Sequence, residues 1–137
     1  MKTYEHITKT LYVIDDDHAS AFLNATVLSK TFKLKTRIIT NPDDAFREIL
    51  VHRNEICGIV VDAYLQTAEC RINTGLQLIK EIQIEGMPEL PILFCSSLTG
   101  PAEIAAMLGY GEYCTKPLYV HVNNPDSALH LFLDRLK

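Results

Sequence analysis

The chain has 137 residues, 47% of them hydrophobic and 22% charged, with a net charge of -4 at pH 7. That length and balance fit one globular domain with enough chain for a proper core. They exclude a general nucleic-acid binder, since no basic excess is present to neutralise phosphates, and no apolar stretch approaches the roughly 20 residues that span a bilayer.

The opening segment MKTYEHITKTLYVIDDD is not a secretory signal, because its apolar run is short and ends in acid. That run, Leu11–Ile14 (LYVI), predicts a first strand leading directly into Asp15, Asp16 and Asp17. SAFLNATVLSK then predicts a helix with Phe22, Leu23, Val27 and Leu28 on adjoining faces. Leu34–Ile39 (LKTRII) is the second strand. NPDDAFREIL has Asn41 as N-cap and Pro42 at the first helical position, and is expected to bury Phe46, Ile49 and Leu50. Gly58–Val61 (GIVV) is the third strand and ends at Asp62. After AYLQTAECRINT, the helix GLQLIKEIQIEG offers Leu76, Ile79 and Ile82 to the core. Pro91–Cys95 (PILFC) is the fourth strand, followed by Ser96 and Ser97. PAEIAAMLG predicts a helix that stops at Gly109. Glu112–Thr115 (EYCT) is the fifth strand, followed by Lys116 and Pro117. NPDSALHLFLDRLK opens again on Asn124–Pro125 and places Leu129, Phe132, Leu133 and Leu136 on one stripe.

Several of these strands are apolar without alternation, as in a parallel sheet covered on both faces. Five strands alternating with five helices therefore predict an α/β domain, a doubly wound parallel sheet flanked by helices. A single domain over residues 1–137, with its core from about residue 10, accounts for the whole chain, and no repeat or linker interrupts it. Cys57, Cys70, Cys95 and Cys114 include no C-x-x-C pair, so neither a zinc site nor a redox motif is expected. Cys95 and Cys114 read as small core residues, and a reducing, cytoplasmic location follows. The five histidines lack ligand spacing, and His18 reads as a solvated first-turn residue.

In open parallel sheets, ligands bind outside the carboxyl ends of the strands. The residues that follow the apolar runs should therefore meet: Asp15–Asp17, Asp62, Ser96 and Lys116. Their order and spacing resemble the receiver domain of two-component response regulators, over Leu11 to Lys137. The resemblance implies a flavodoxin-like sheet of order 2-1-3-4-5. By position, the resemblance makes Asp15 and Asp16 the acid pair, Asp62 the phosphoacceptor, Ser96 the hydroxyl residue, Lys116 the lysine and Tyr113 the aromatic switch. It implies a Mg²⁺ site formed by Asp15, Asp16, Asp62 and the backbone carbonyl of Tyr64, and a cis peptide between Lys116 and Pro117.

The chemistry of these residue types agrees. Three crowded carboxylates need a positive partner, Mg²⁺ prefers oxygen ligands and keeps several waters, and a carboxylate can act as nucleophile to form an aspartyl-phosphate. Lys116 and Ser96 can bind the remaining phosphoryl oxygens, while Asp17 faces outward and caps the first helix. The implied partners are a sensor histidine kinase or histidine phosphotransfer protein and a downstream target, with no direct nucleic-acid contact and no membrane. A homodimer face through the fourth helix, fifth strand and last helix is a further expectation, although packing within the monomer explains the same residues.

Two departures stand out. Receivers usually carry a proline four residues after the acceptor and a glycine about eight after it, whereas here Gln66 stands at the first position and Gly75 is the first glycine. AYLQTAECRINT is therefore long, as is LYVHVNNPD after Lys116–Pro117, and either could be a plain surface insertion or a cover over the site. Tyr64 and Leu98 occupy the positions that border water's approach to the phosphoryl group, which implies slow self-dephosphorylation. Two other readings compete with a signalling switch. A Mg²⁺-dependent phosphohydrolase would want a second Asp two residues after the nucleophile, where Tyr64 stands. A degenerate receiver used only for protein interaction would not need the intact acid pair, Asp62, Ser96 and Lys116.

Overall fold

A computed structural model describes the chain apart from residues 1, 66–68, 88, 98, 99, 101, 102, 105, 107 and 137. Strands β1 (Thr10–Ile14), β2 (Lys35–Ile39), β3 (Ile56–Asp62), β4 (Ile92–Ser96) and β5 (Glu112–Thr115) form one parallel sheet in the order β2-β1-β3-β4-β5. Four α-helices are described: α1 (His18–Thr26), α2 (Pro42–Val51), α3 (Gly75–Ile84) and α4 (Ala128–Leu133). The helix predicted over PAEIAAMLG falls in part on residues outside the described set.

Burial explains why the inner strands are nearly all apolar: all seven residues of β3 are buried, and so are all five of β4, whereas the edge strand β2 buries only Ile39. Because side chains alternate across a strand, the inner strands feed two cores. Tyr12, Ile14, Ile59, Val61 and Phe94 pack with Ile49 of α2 and Leu78, Ile79 and Ile82 of α3. Leu11, Val13, Val60 and Leu93 pack on the other face with Ala25 and Leu28 and with Leu129, Phe132 and Leu133 of α4.

Two helix expectations need correction. Phe22 and Leu23 are exposed, at 68% and 42%, because α1 turns a stripe of small residues (Ala21, Asn24 and Ala25) toward the sheet. Its continuation, a π-helical turn over Val27–Thr31, buries Val27 and Leu28. The last helix begins at Ala128 rather than at Asn124–Pro125. Asn124 closes a turn by accepting from the Asp126 N–H at 3.1 Å, and Ser127 caps the helix instead.

Cys95 and Cys114 face each other across β4 and β5 as free, buried thiols, Sγ to Sγ 3.9 Å. Cys57 is also buried, and burial pushes its thiol up to about 11. Among the described residues, no helix is long and apolar enough to cross a membrane.

Candidate functional site

The sheet register brings the predicted residues to one edge. Ile14 lies beside Val61, Asp62 beside Cys95, and Ser96 beside Thr115, so Asp15, Asp62, Ser96 and Lys116 emerge together. Asp15 is 2% exposed, and the Lys116 ammonium sits 2.6 Å from its Oδ2 and 2.8 Å from Asp62 Oδ2. Asp16 is half-buried beside them, and Asp15, Asp16 and Asp62 each offer a carboxylate oxygen within 4.8 Å of the others. Lys116 is held to the neighbouring strand by its own N–H, which donates to the Ser96 carbonyl at 3.1 Å, and the Lys116–Pro117 peptide is cis.

Asp15 is gripped from three directions. Its Oδ1 accepts from the Asp17 N–H at 3.0 Å, and its Oδ2 accepts from Ser20 Oγ at 2.8 Å as well as from Lys116. Asp17 turns outward and caps α1, accepting from the Ala19 and Ser20 N–H groups. Burial pushes the Asp62 carboxyl above the usual carboxylate range, against the pull of Lys116. Burial acts to lower the Lys116 ammonium, but hydrogen bonds to Asp15 and Asp62 outweigh it and hold the ammonium above the ordinary lysine value. The oxygen-only donor set suits a hard divalent cation, so these acids could hold a metal ion.

The long segment after Asp62 is folded back on itself. Leu65 N–H donates to the Asn73 carbonyl and Gly75 N–H to the Ala63 carbonyl, each at 3.0 Å, which sets Tyr64 opposite Thr74 as an isolated antiparallel bridge. Tyr64 is the residue not bonded to its opposite number in such a pair, so its own N–H and C=O point away from the returning arm. The N–H donates to Asp62 Oδ1 at 3.1 Å. The second extension is tied down too. Leu118 N–H donates to Asn24 Oδ1 at 3.3 Å, and His121 Nε2 lies 2.8 Å from the Thr115 carbonyl, to which its N–H donates.

Ser96 is buried at the end of β4, and Tyr113 lies half-buried on β5 against the core. Leu98 lies outside the described residues. His18 is exposed and takes no part in the acid cluster. Sequence reading missed Ser20, Asn24 and His121, whose side chains bond Asp15, the Leu118 N–H and the Thr115 carbonyl.

No protein-family model matches the chain, and no curated protein matches it. Solved structures do. The receiver domain of NtrX from Brucella abortus is 27% identical over 90% of this chain and 92% of its own, with a TM-score of 0.66. A two-component response regulator from Clostridium difficile superposes with a TM-score of 0.70 at 19% identity, over 93% of this chain and 97% of its own. The chain has the receiver-domain fold. A third receiver fold, the chemotaxis response regulator CheY4 of Vibrio cholerae, gives a TM-score of 0.66 at 17% identity, over 94% of this chain and 99% of its own. Against the longer NtrX structure, this chain spans only 25% of that protein's length.

Proposed function

We propose that this chain is a phosphoacceptor switch of two-component signalling, in which Asp62 receives a phosphoryl group from a histidine kinase or histidine phosphotransfer protein in the cytoplasm. The observation that carries the reading is the shared salt bridge: one half-buried lysine joins the acid at the end of β1 to the acid at the end of β3, with Asp16 beside them. An Asp62 carboxylate oxygen attacks phosphorus, the bond from phosphorus to the donor's imidazole nitrogen breaks, and the electron pair leaves with the imidazole, which then takes up a proton. Lys116 holds the Asp62 carboxylate in place and lies close enough to its Oδ2 to bind a phosphoryl oxygen added there. Asp15, Asp16, Asp62 and the Tyr64 carbonyl would hold Mg²⁺. When bound, the metal supplies neutralisation of charge on the transferring phosphoryl group.

Ser96 and Tyr113 carry the output in this reading. The phosphoryl group draws the Ser96 hydroxyl inward, and Tyr113 changes rotamer into the space released, which shifts the population at the surface beside β5. Structures with and without a phosphoryl mimic should differ at both residues; identical conformers would contradict the switch.

Intact-mass measurement after incubation with Mg²⁺ and a small phosphodonor tests the acceptor. The natural chain should gain one alkali-labile phosphoryl group, and Asp62→Asn should gain none. An unchanged adduct on Asp62→Asn would overturn the assignment, and steady phosphate release from simple phosphoesters would favour the phosphohydrolase.

A further inference from the structure

We propose that Asp43, on α2, is a positioning residue for the acceptor, acting through the backbone of the long loop that follows Asp62. The inference rests on the phosphoacceptor reading above. Asp43 Oδ2 accepts from the Arg71 N–H at 2.9 Å, and its Oδ1 accepts from the Ile72 N–H at 3.0 Å. Both oxygens of the side chain are thus directed at a segment far along the chain rather than at its own helix.

The ordinary task of an acid in this place is already performed by another residue. Asn41 caps α2 by accepting from the Asp44 N–H at 3.0 Å, and Asp44 pairs with Arg47 on the same helix. Asp43 is free of capping duty and instead fixes two successive backbone donors of the loop. Those donors sit at the start of the returning arm. The next residues are Asn73, Thr74 and Gly75, which pair with Leu65, Tyr64 and Ala63. Tyr64 in turn gives its N–H to Asp62 Oδ1. One continuous path of hydrogen bonds and three residues of chain therefore leads from the carboxylate on α2 to the acceptor oxygen.

The side chains along the arm reinforce its position. Ile72 is fully buried, Asn73 N–H donates to Gln77 Oε1 at 3.1 Å, and the Arg71 guanidinium pairs with Glu81 and lies 5.7 Å from the Phe46 ring centroid. These contacts seat the arm against α2 and α3. Among the described residues, Asp43 is the acceptor for the two backbone donors at the arm's turning end, and so fixes the register of Tyr64 against Thr74. A small displacement there would move both the hydrogen bond on Asp62 and the carbonyl assigned to the metal, and chemistry of this kind is sensitive to misplacement of an ångström.

The test compares Asp43→Ala, Asp43→Asn and Asp44→Ala with the parent chain by amide hydrogen exchange and Mg²⁺ titration, followed by the rate of Asp62 phosphorylation. Asp43→Ala should speed exchange at Leu65 and Gly75 about tenfold and weaken Mg²⁺ binding and slow phosphorylation by about tenfold. Asp43→Asn keeps one acceptor oxygen and should fall between. Asp44→Ala removes the same charge from the same helix turn and should leave all three readouts within about twofold. If Asp43→Ala does not fold, Asp43→Asn is judged by the same readouts. Leu65 and Gly75 exchange together with Mg²⁺ affinity unchanged in the folded variant would overturn the proposal. A parent chain that takes up no phosphoryl group would instead defeat the phosphoacceptor reading, with the exchange comparison still deciding whether Asp43 sets the loop.

Discussion

A Cβ added to Gly75 would lie 2.4 Å from the carbonyl oxygen of Asp62 and 3.2 Å from Val61 Cγ2. The nearest atom is backbone of Asp62, the proposed acceptor, not the end of a flexible side chain that could move aside. Gly75→Ala should therefore destabilise the fold by about 1–3 kcal/mol and slow phosphorylation of Asp62 more than loss of stability explains. Urea denaturation and phosphorylation kinetics together check this, and a variant matching the parent in both would contradict it. At this scale the acids and the lysine were legible because each stands directly behind a strand-forming run. Ser20 was not, since a serine in the first turn of a helix looks the same whether it faces water or Asp15 Oδ2. Gly75 was noticed only as a glycine displaced from an expected spacing. Its close contact depends on how the loop closes, which no local pattern records.

Among the elements, strands were read more accurately than helix faces. β1 to β5 differ from their expected ends by only a residue or two; for β1, β3 and β4 this is because continuous apolar runs bounded by polar residues leave little choice. The inward face of α1 was not visible, since Ala21, Asn24 and Ala25 carry less hydrophobic signal than the exposed Phe22 and Leu23. The docking of the β3–α3 loop on α2 was equally invisible, because Asp43 reads as an ordinary first-turn acid. That contact has a pH signature. The Arg71 and Ile72 N–H groups hold the Asp43 carboxyl below the usual carboxylate range. A carboxyl lowered by folding contributes stability that is present above its unfolded pKa of about 4 and is lost as pH falls through the lower folded value. The parent should thus melt a few degrees above Asp43→Asn at neutral pH, with the gap closing as pH drops below about 4. A gap that stays constant down to pH 2 would show that the charge on Asp43 does not carry the contact.

For the molecule as a whole, the alternation of strands and helices made the doubly wound sheet legible, and the sheet in turn placed the site, because a parallel sheet projects all its strand ends to one edge. What that edge does energetically is to crowd three carboxylates around one ammonium, in a place where the Lys116 side chain is 15% exposed and that of Asp15 is 3% exposed. Lys116 is thus a built-in counter-ion, and a divalent cation would be a second one. Removing the lysine strands two acids in a desolvated position, so Lys116→Met should lower stability by about 2–4 kcal/mol without added metal. Mg²⁺ at about a hundredfold excess over its dissociation constant should stabilise the parent by about 2.7 kcal/mol, a rise in Tm of roughly 10 °C. In Lys116→Met the rise should be larger at the same Mg²⁺ concentration, since the metal then answers charge that nothing else neutralises. In Asp16→Asn it should shrink, because a metal with few protein ligands loses a charged one. Thermal melts of the three proteins with Mg²⁺ and with chelator give the comparison. A rise in Tm that is equal in all three would mean that the cation binds elsewhere, and no rise in the parent would mean that the acid cluster is balanced by Lys116 alone.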